Sequence, residues 1–212
     1  PDLIGQALQC LPAVETVAIV VNAVAGIEVM TRRLMEAAKE QNLPRAIIIN
    51  KIDLPDIDLP TVVKNIQEMF GAECLPVNLP TGGGKAVVEC LSSRSGEADF
   101  SSVAEAHTAL LEQVVELDET LMERYLEGEE PNTEALHDPF ERAMDEGHVV
   151  PILFTDAKTG VGVAELLDFI ARWFPSPLEG NLRPFVTGDG PDAKPYQYWN
   201  DPQKPLLAHV FK

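Results

Sequence analysis

The sharpest chemical signal in the 212 residues is Asn50-Lys51-Ile52-Asp53, which directly follows the apolar run at 46–49. If that run is a strand of a parallel α/β sheet, the four residues lie at its carboxyl end, where ligands of such sheets bind. Their types suit a guanine base. The Asp53 carboxylate can accept from the ring N–H and the exocyclic amine together, a bidentate, charge-assisted pair. Adenine lacks that donor pattern, and a buried carboxylate left unpaired is penalised heavily, which puts discrimination on the order of 10⁴-fold within reach. Asn50 would tie neighbouring loops together, and the Lys51 stem would lie against the base plane. The same residues also read as a capped turn into the next helix. A second loop, Thr155-Asp156-Ala157-Lys158, follows the run at 149–154. In GTP-binding folds the corresponding loop offers backbone N–H groups to the guanine O6, which excludes adenine's amine. A plain strand-to-helix connection, with Asp156 capping the helix, accounts for it equally well.

Other groups carry less. Gly82-Gly83-Gly84-Lys85 is not a phosphate loop, because Leu79 stands where the first Gly belongs and Ala86 stands where Ser or Thr belongs. It reads as a hairpin turn. His107, His137, His148 and His209 have no metal-ligand spacing among themselves or with the cysteines, so no metal ligands are assigned. Glu127-Gly128-Glu129-Glu130 reads as a solvated helix end.

These loops need strands to carry them. Residues 17–21, Val-Ala-Ile-Val-Val, predict a strand buried on both faces. A helical period through Met30, Leu34, Ala37 and Ala38 ends near Asn42, before Pro44. Residues 46–49 predict a second buried strand. Val62, Val63, Ile66, Met69 and Phe70 give a helix stopped by Gly71. Residues 149–154 predict a third strand, and 163–174 a helix with Leu166, Leu167, Ile170 and Trp173 inward. Strands alternating with helices predict an α/β fold, a parallel sheet with helices on both faces.

In the middle of the chain the order changes. Residues 75–79 and 85–91 read as two strands of a hairpin turning through 80–84. A long helix over 103–126 and a shorter one over 133–146, with Thr133 as its cap, follow. Strands followed by helices predict an inserted α+β subdomain. The expected partition is a first core part at 1–72, the insert at 73–148, the last core strand and helix at 149–175, a linker at 176–204, and the start of a further domain at 205–212.

Charge marks the same segment. Net charge is −18, and 17 acidic against three basic residues fall between Glu89 and Glu146. A step of that size usually marks a separate module, and the acidity excludes a large phosphate-binding face. No apolar run approaches the eighteen residues of a membrane helix, so no membrane partner is expected. Cys10, Cys74 and Cys90 read as reduced thiols, without a C-x-x-C pair. The chain opens at Pro1 in mid-pattern, as a piece of a longer protein would.

Several segments, taken in order, resemble translation elongation factor G or a close paralogue over nearly the whole chain. Pro1-Asp2 is similar to the end of a switch element, and Ala18–Val21, Gly26-Ile27-Glu28 and Asn50–Asp53 follow the GTPase domain in order. Asp118-Glu-Thr-Leu-Met-Glu-Arg-Tyr-Leu-Glu-Gly-Glu-Glu-Pro131 is the most specific piece, similar to the signature of the subdomain that family inserts between its base-binding loops. Phe174-Pro-Ser-Pro177 resembles the family's exit from the GTPase domain, and 205–212 the start of its next β-barrel.

The resemblance implies a partial P-loop-GTPase-type sheet that binds the guanine moiety of GTP or GDP through Asn50, Lys51, Asp53, Asp156, Ala157 and Lys158. It implies a cytoplasmic factor acting on the ribosome in translocation, its insert facing the ribosomal stalk protein. Two departures stand out: Asp156 occupies a position usually Ser, and the insert is short around 92–99. The P-loop, first switch and most of the second are absent from this chain, so Mg²⁺ is expected only in the full-length parent. No catalytic residue is assigned, and the chain alone is expected not to hydrolyse GTP. The alternative is a protein-docking module whose acidic insert binds a ribosomal or other basic partner, the nucleotide site being vestigial.

Two structural expectations follow. Strand 17–21 is left as an open sheet edge, with Leu8 and Leu11 exposed; either the chain self-associates through it or the segment before it rearranges to cover it. The insert and the helix at 163–174 keep their own cores.

Overall fold

The computed structural model describes residues 3–129, 131–176, 185–188, 190–196 and 203–204. The readings of Pro1-Asp2, of most of 176–204 and of 205–212 fall outside these residues.

Four parallel strands form the central sheet: β1 (Val17–Asn22), β2 (Arg45–Asn50), β3 (Cys74–Pro76) and β6 (Val150–Thr155), in the order β1-β2-β6-β3. All residues of β6 and all but Asn50 of β2 are buried, as interior strands covered on both faces must be. β1 differs from expectation. Ile19 and Val21 point into the core, whereas Ala18 and Val20 are exposed, Val20 at 60%. A strand at the end of the sheet order has fewer neighbours to cover its second face.

Helices α2 (Val29–Glu40) and α3 (Leu59–Phe70) join the first strands. Each buries residues at i, i+4 and i+7: Thr31, Met35 and Ala38, then Leu59, Val63 and Ile66. Glu28 and Thr31 form a capping box at the start of α2. α3 ends at Gly71, as expected. α7 (Val163–Trp173) turns Phe169 and Trp173 inward, and Leu167, expected inward, is exposed. α1 (Ile4–Cys10) leads into a short turn in which Leu11 is buried at 4% exposure against Ala38 and Leu43, with Leu8 packed alongside. The expected exposure of these two leucines is therefore corrected.

The single strand expected at 75–79 is two. Cys74–Pro76 joins the parallel sheet beside β6 as β3, and Asn78–Thr81 (β4) pairs with Ala86–Glu89 (β5) in an antiparallel hairpin. The reason is the open edge of β6, whose buried backbone groups need partners. Val77 N–H donates to Ile152 O at 3.0 Å. Beyond it, the buried Asn78 side chain accepts from Phe154 N–H at 2.7 Å and donates to Phe154 O at 3.4 Å.

The long helix expected at 103–126 is also two, α4 (Val103–Val115) and α5 (Glu119–Leu126). Asp118 breaks it by accepting from Thr120 and Leu121 N–H at 3.0 and 3.1 Å, a new N-cap. α6 (His137–Asp145) starts later than expected, with Asn132 rather than Thr133 closing the preceding turn through Ala135 N–H. The acidic segment has no core of its own. Leu110, Val114, Phe140 and Met144 belong to the same buried cluster as Ile47, Ile49 and Phe154, and Phe140 meets Trp173 of α7 at 4.9 Å between ring centroids. A last hairpin, β7 (Phe185–Thr187) with β8 (Lys194–Tyr196), lies near the end of the described residues.

Candidate base-recognition site

β2 and β6 are neighbours, with Asn50 opposite Thr155 in register. The two loops singled out in the sequence therefore emerge side by side at the carboxyl end of the sheet. Asn50 joins three loops. Its Oδ1 accepts from Ala157 N–H at 2.9 Å and from the Thr155 hydroxyl at 3.5 Å, and its backbone O accepts from Ala23 N–H beyond β1 at 3.0 Å. Its Nδ2 has no partner among the described residues. Lys51 takes a left-handed backbone, φ 71°, with its side chain exposed. Ile52 turns back into the core and donates its N–H to Thr155 O at 3.4 Å.

Asp53 is exposed, not buried as the expected penalty against adenine requires, and has no protein partner among the described residues. The cap of the following helix is a different residue. Asp58 accepts from Thr61 N–H at 3.1 Å and from its hydroxyl at 2.6 Å, bonds that hold the Asp58 carboxyl below the usual carboxylate range. With capping done five residues later, the Asp53 carboxylate is free to meet a ligand.

Asp156 is the opposite. It is 1% exposed, accepts from Lys158 N–H at 3.2 Å and Thr159 N–H at 3.0 Å, and also takes the Thr159 hydroxyl. The Thr159 hydroxyl first, then these N–H groups and the Lys158 charge, hold its carboxyl below the usual range against the upward pull of burial. Its own N–H and O close a turn with Val161 O and Gly160 N–H, each at 2.8 Å. The Asp156 carboxylate thus builds its own loop and does not cap α7, whose N-cap is Gly162 at φ 71°. A Cβ on Gly162 would run into the Phe154 carbonyl. The free N–H groups expected of this loop are engaged: Ala157 N–H with Asn50 and Lys158 N–H with Asp156. Lys158 itself points to solvent.

Sequence reasoning missed Thr159. Its spacing of three from Asp156 is the pattern of a side chain closing its own turn, and that signal was readable.

Parallel strands joined by helices, with both loops at the carboxyl end of the sheet, place the chain in the α/β class. Residues 3–176 match the family described as the elongation factor Tu GTP binding domain. Over its full length the chain is 33% identical to an elongation factor G-like protein of Mycobacterium tuberculosis, covering 31% of that protein. It is 31% identical to elongation factor G of Fervidobacterium nodosum, over 91% of the chain and 30% of the relative. A crystal structure from Thermus thermophilus superposes with a TM-score of 0.72 at 30% identity, over 84% of this chain and 29% of that one. The chain belongs to the elongation factor Tu GTP-binding-domain family. It spans about a third of the length of these relatives.

Proposed function

We propose that the chain is the base-recognising part of a GTP-binding translation elongation factor that acts on the ribosome in translocation. One observation carries the reading: a free Asp53 carboxylate beside Asn50, whose Oδ1 binds the second loop and leaves Nδ2 unpaired. Asp53 takes the ring N–H and exocyclic amine of guanine, and Asn50 Nδ2 faces its acceptor edge. Lys51 flanks the base, and Asp156, Ala157 and Lys158 form the second wall, Asp156 by shaping it. The similarity to elongation factor G proteins supports the ribosomal setting and a cytoplasmic location. In this reading the inserted segment faces the ribosomal stalk protein; the alternative is a docking module whose acidic insert binds a ribosomal or other basic partner. No helix among the described residues is long and apolar enough to cross a membrane.

Titration calorimetry with guanosine, inosine and adenosine tests the site. Guanosine should bind most tightly. Inosine lacks the exocyclic amine and should lose about tenfold, the worth of a hydrogen bond to a charged group. Asp53→Ala should make the three equal. GDP should bind about as well as guanosine, and GTP should not be hydrolysed, since no residues of this sequence form a G-x-x-x-x-G-K-[ST] loop. Equal affinities in the unmodified chain would leave the docking-module reading standing instead.

A further inference from the structure

The inserted segment at 73–148 touches the base-recognition loop. Its β4–β5 hairpin turns through Gly82, Gly83 and Gly84, at φ 66°, 72° and 73°. Only Gly84 is fixed by its surroundings as well as by its backbone. A Cβ there would run into the Ile52 carbonyl oxygen and stand 3.0 Å from its carbon and 3.5 Å from Asp53 N. Gly83 has open space, and Gly82 would meet nothing nearer than Lys85 Cβ at 4.0 Å. The glycine permits the hairpin backbone to lie directly on the peptide that precedes Asp53.

Asp99 holds the turn in that place. Its two carboxylate oxygens accept from Gly83 N–H and Gly84 N–H, each at 2.8 Å, a charge-assisted pair of the stronger kind. Asp99 N–H donates to Pro80 O at 2.8 Å. The next residue, Phe100, meets Phe154 of β6 in a T-shaped contact, 5.6 Å between ring centroids. One end of the clamp is thus anchored on the strand that carries the second loop, and the other presses on the first.

We infer that Asp99 and Gly84 are positioning residues for guanine recognition: the carboxylate clamps the glycine turn, and the turn sets the peptide from which Asp53 projects. The inference rests on the guanine reading of Asp53. A bidentate pair demands alignment of both bonds, and hydrogen bonds weaken steeply as angles open. Loosening the turn therefore degrades base discrimination without touching the base. It also makes the acidic segment a lever on the site, because a partner that displaces Asp99 changes the affinity for guanine.

The test compares the 212-residue chain with Asp99→Ala and Asp99→Asn, reading the guanosine-to-inosine affinity ratio by calorimetry and the Ile52 and Asp53 amide resonances by NMR. Asp99 is exposed, so both variants should fold. The ratio should fall about threefold or more in Asp99→Ala. It should fall less in Asp99→Asn, which keeps one acceptor. The Ile52 and Asp53 resonances should shift in proportion. Gly84→Ala should lower the ratio further; if it fails to fold, the two Asp99 variants still decide. An unchanged ratio with unmoved Ile52 and Asp53 resonances, while those of Gly83 and Gly84 confirm the lost bonds, overturns the inference. If the unmodified chain shows no guanosine preference, the guanine reading falls. The Ile52 and Asp53 resonances then judge the brace alone, a shift supporting it and stillness overturning it.

Discussion

Asp53 and Asp156 follow neighbouring parallel strands, three residues past Asn50 and one past its register partner Thr155, yet they do opposite things. Asp53 is exposed and unengaged. Asp156 is buried and takes two backbone N–H groups and a hydroxyl of its own loop. The first loop can leave its carboxylate free because Asp58 caps the next helix. The second has no such substitute, since α7 begins on a glycine without a side-chain cap. A carboxylate near a strand end is a ligand group only when the surrounding turn is closed by something else.

Crossed substitutions should separate the two roles, and the effect is the largest expected from this pair. Asp53→Ala should abolish guanosine preference while leaving stability within about 0.5 kcal/mol, as for an exposed residue without partners. Asp156→Ala should lower the thermal midpoint. It should weaken all nucleosides together, because the turn that presents Ala157 N–H to Asn50 is loosened. Scanning calorimetry and titration on both variants read this out. If Asp156→Ala kept full stability and lost only the guanosine preference, the roles would be reversed.

Much of this arrangement was legible in the sequence. The β-branched run at 46–49 and the apolar run at 149–154 placed β2 and β6 to within a residue, and with them the fold class and both loops. Gly71 marked the end of α3 because little else interrupts that period. Other features depend on neighbours that a linear pattern does not contain. The run at 75–79 is apolar almost throughout, and only the unsatisfied edge of β6 divides it between two sheets. The leucine spacing runs through Asp118 without a break, so the cap was hidden inside a continuous period. The charge step at 89–146 marked a surface, not a separate core, because the helices that carry the acids bury Leu110 and Phe140 in the common cluster. The role of Asp156 turned on Thr159, a residue outside the motif that drew attention to the loop.

The contrast extends to the strands before the loops. β1 and β2 pair residue for residue, Asn22 opposite Asn50. Asn50 bridges to Ala157 in another loop, whereas the Asn22 side chain closes only its own turn by accepting from Val24 N–H at 3.0 Å. β2 lies between two strands, and β1 ends the sheet order. Among the described residues the free side of β1 is an uncharged open edge, which invites pairing with a second chain, so we propose that the isolated chain self-associates through β1. Ile19 faces the core, but Val20 faces outward, which makes Val20→Lys the informative change. Light scattering over a concentration series should show association that Val20→Lys suppresses, with stability altered by no more than about 0.5 kcal/mol. A monodisperse monomer at high concentration, with β1 amides exchanging faster than those of β2, would show that the edge is harmless.

The smallest expected effect is a dependence on acid that belongs to one of the two aspartates. The Asp156 carboxyl is held below its ordinary value, chiefly by the Thr159 hydroxyl. A group depressed on folding contributes stability that is fully present above its unfolded value, near 3.9 for Asp. The contribution is lost as the pH falls through the lower folded value. Asp145 has the opposite sign: burial and the neighbouring Glu146 raise it, so its destabilising share is relieved on acidification. Comparing the unmodified chain with Asp156→Ala removes Asp145 and every other common group from the difference. The gap in thermal midpoint between the two should stay constant from neutral pH to about pH 5 and narrow below about 3.9. A gap that widened on acidification would require Asp156 to be stabilised as the neutral acid. That would contradict its role as an acceptor of two N–H groups and a hydroxyl, and with it the division of labour between the two loops.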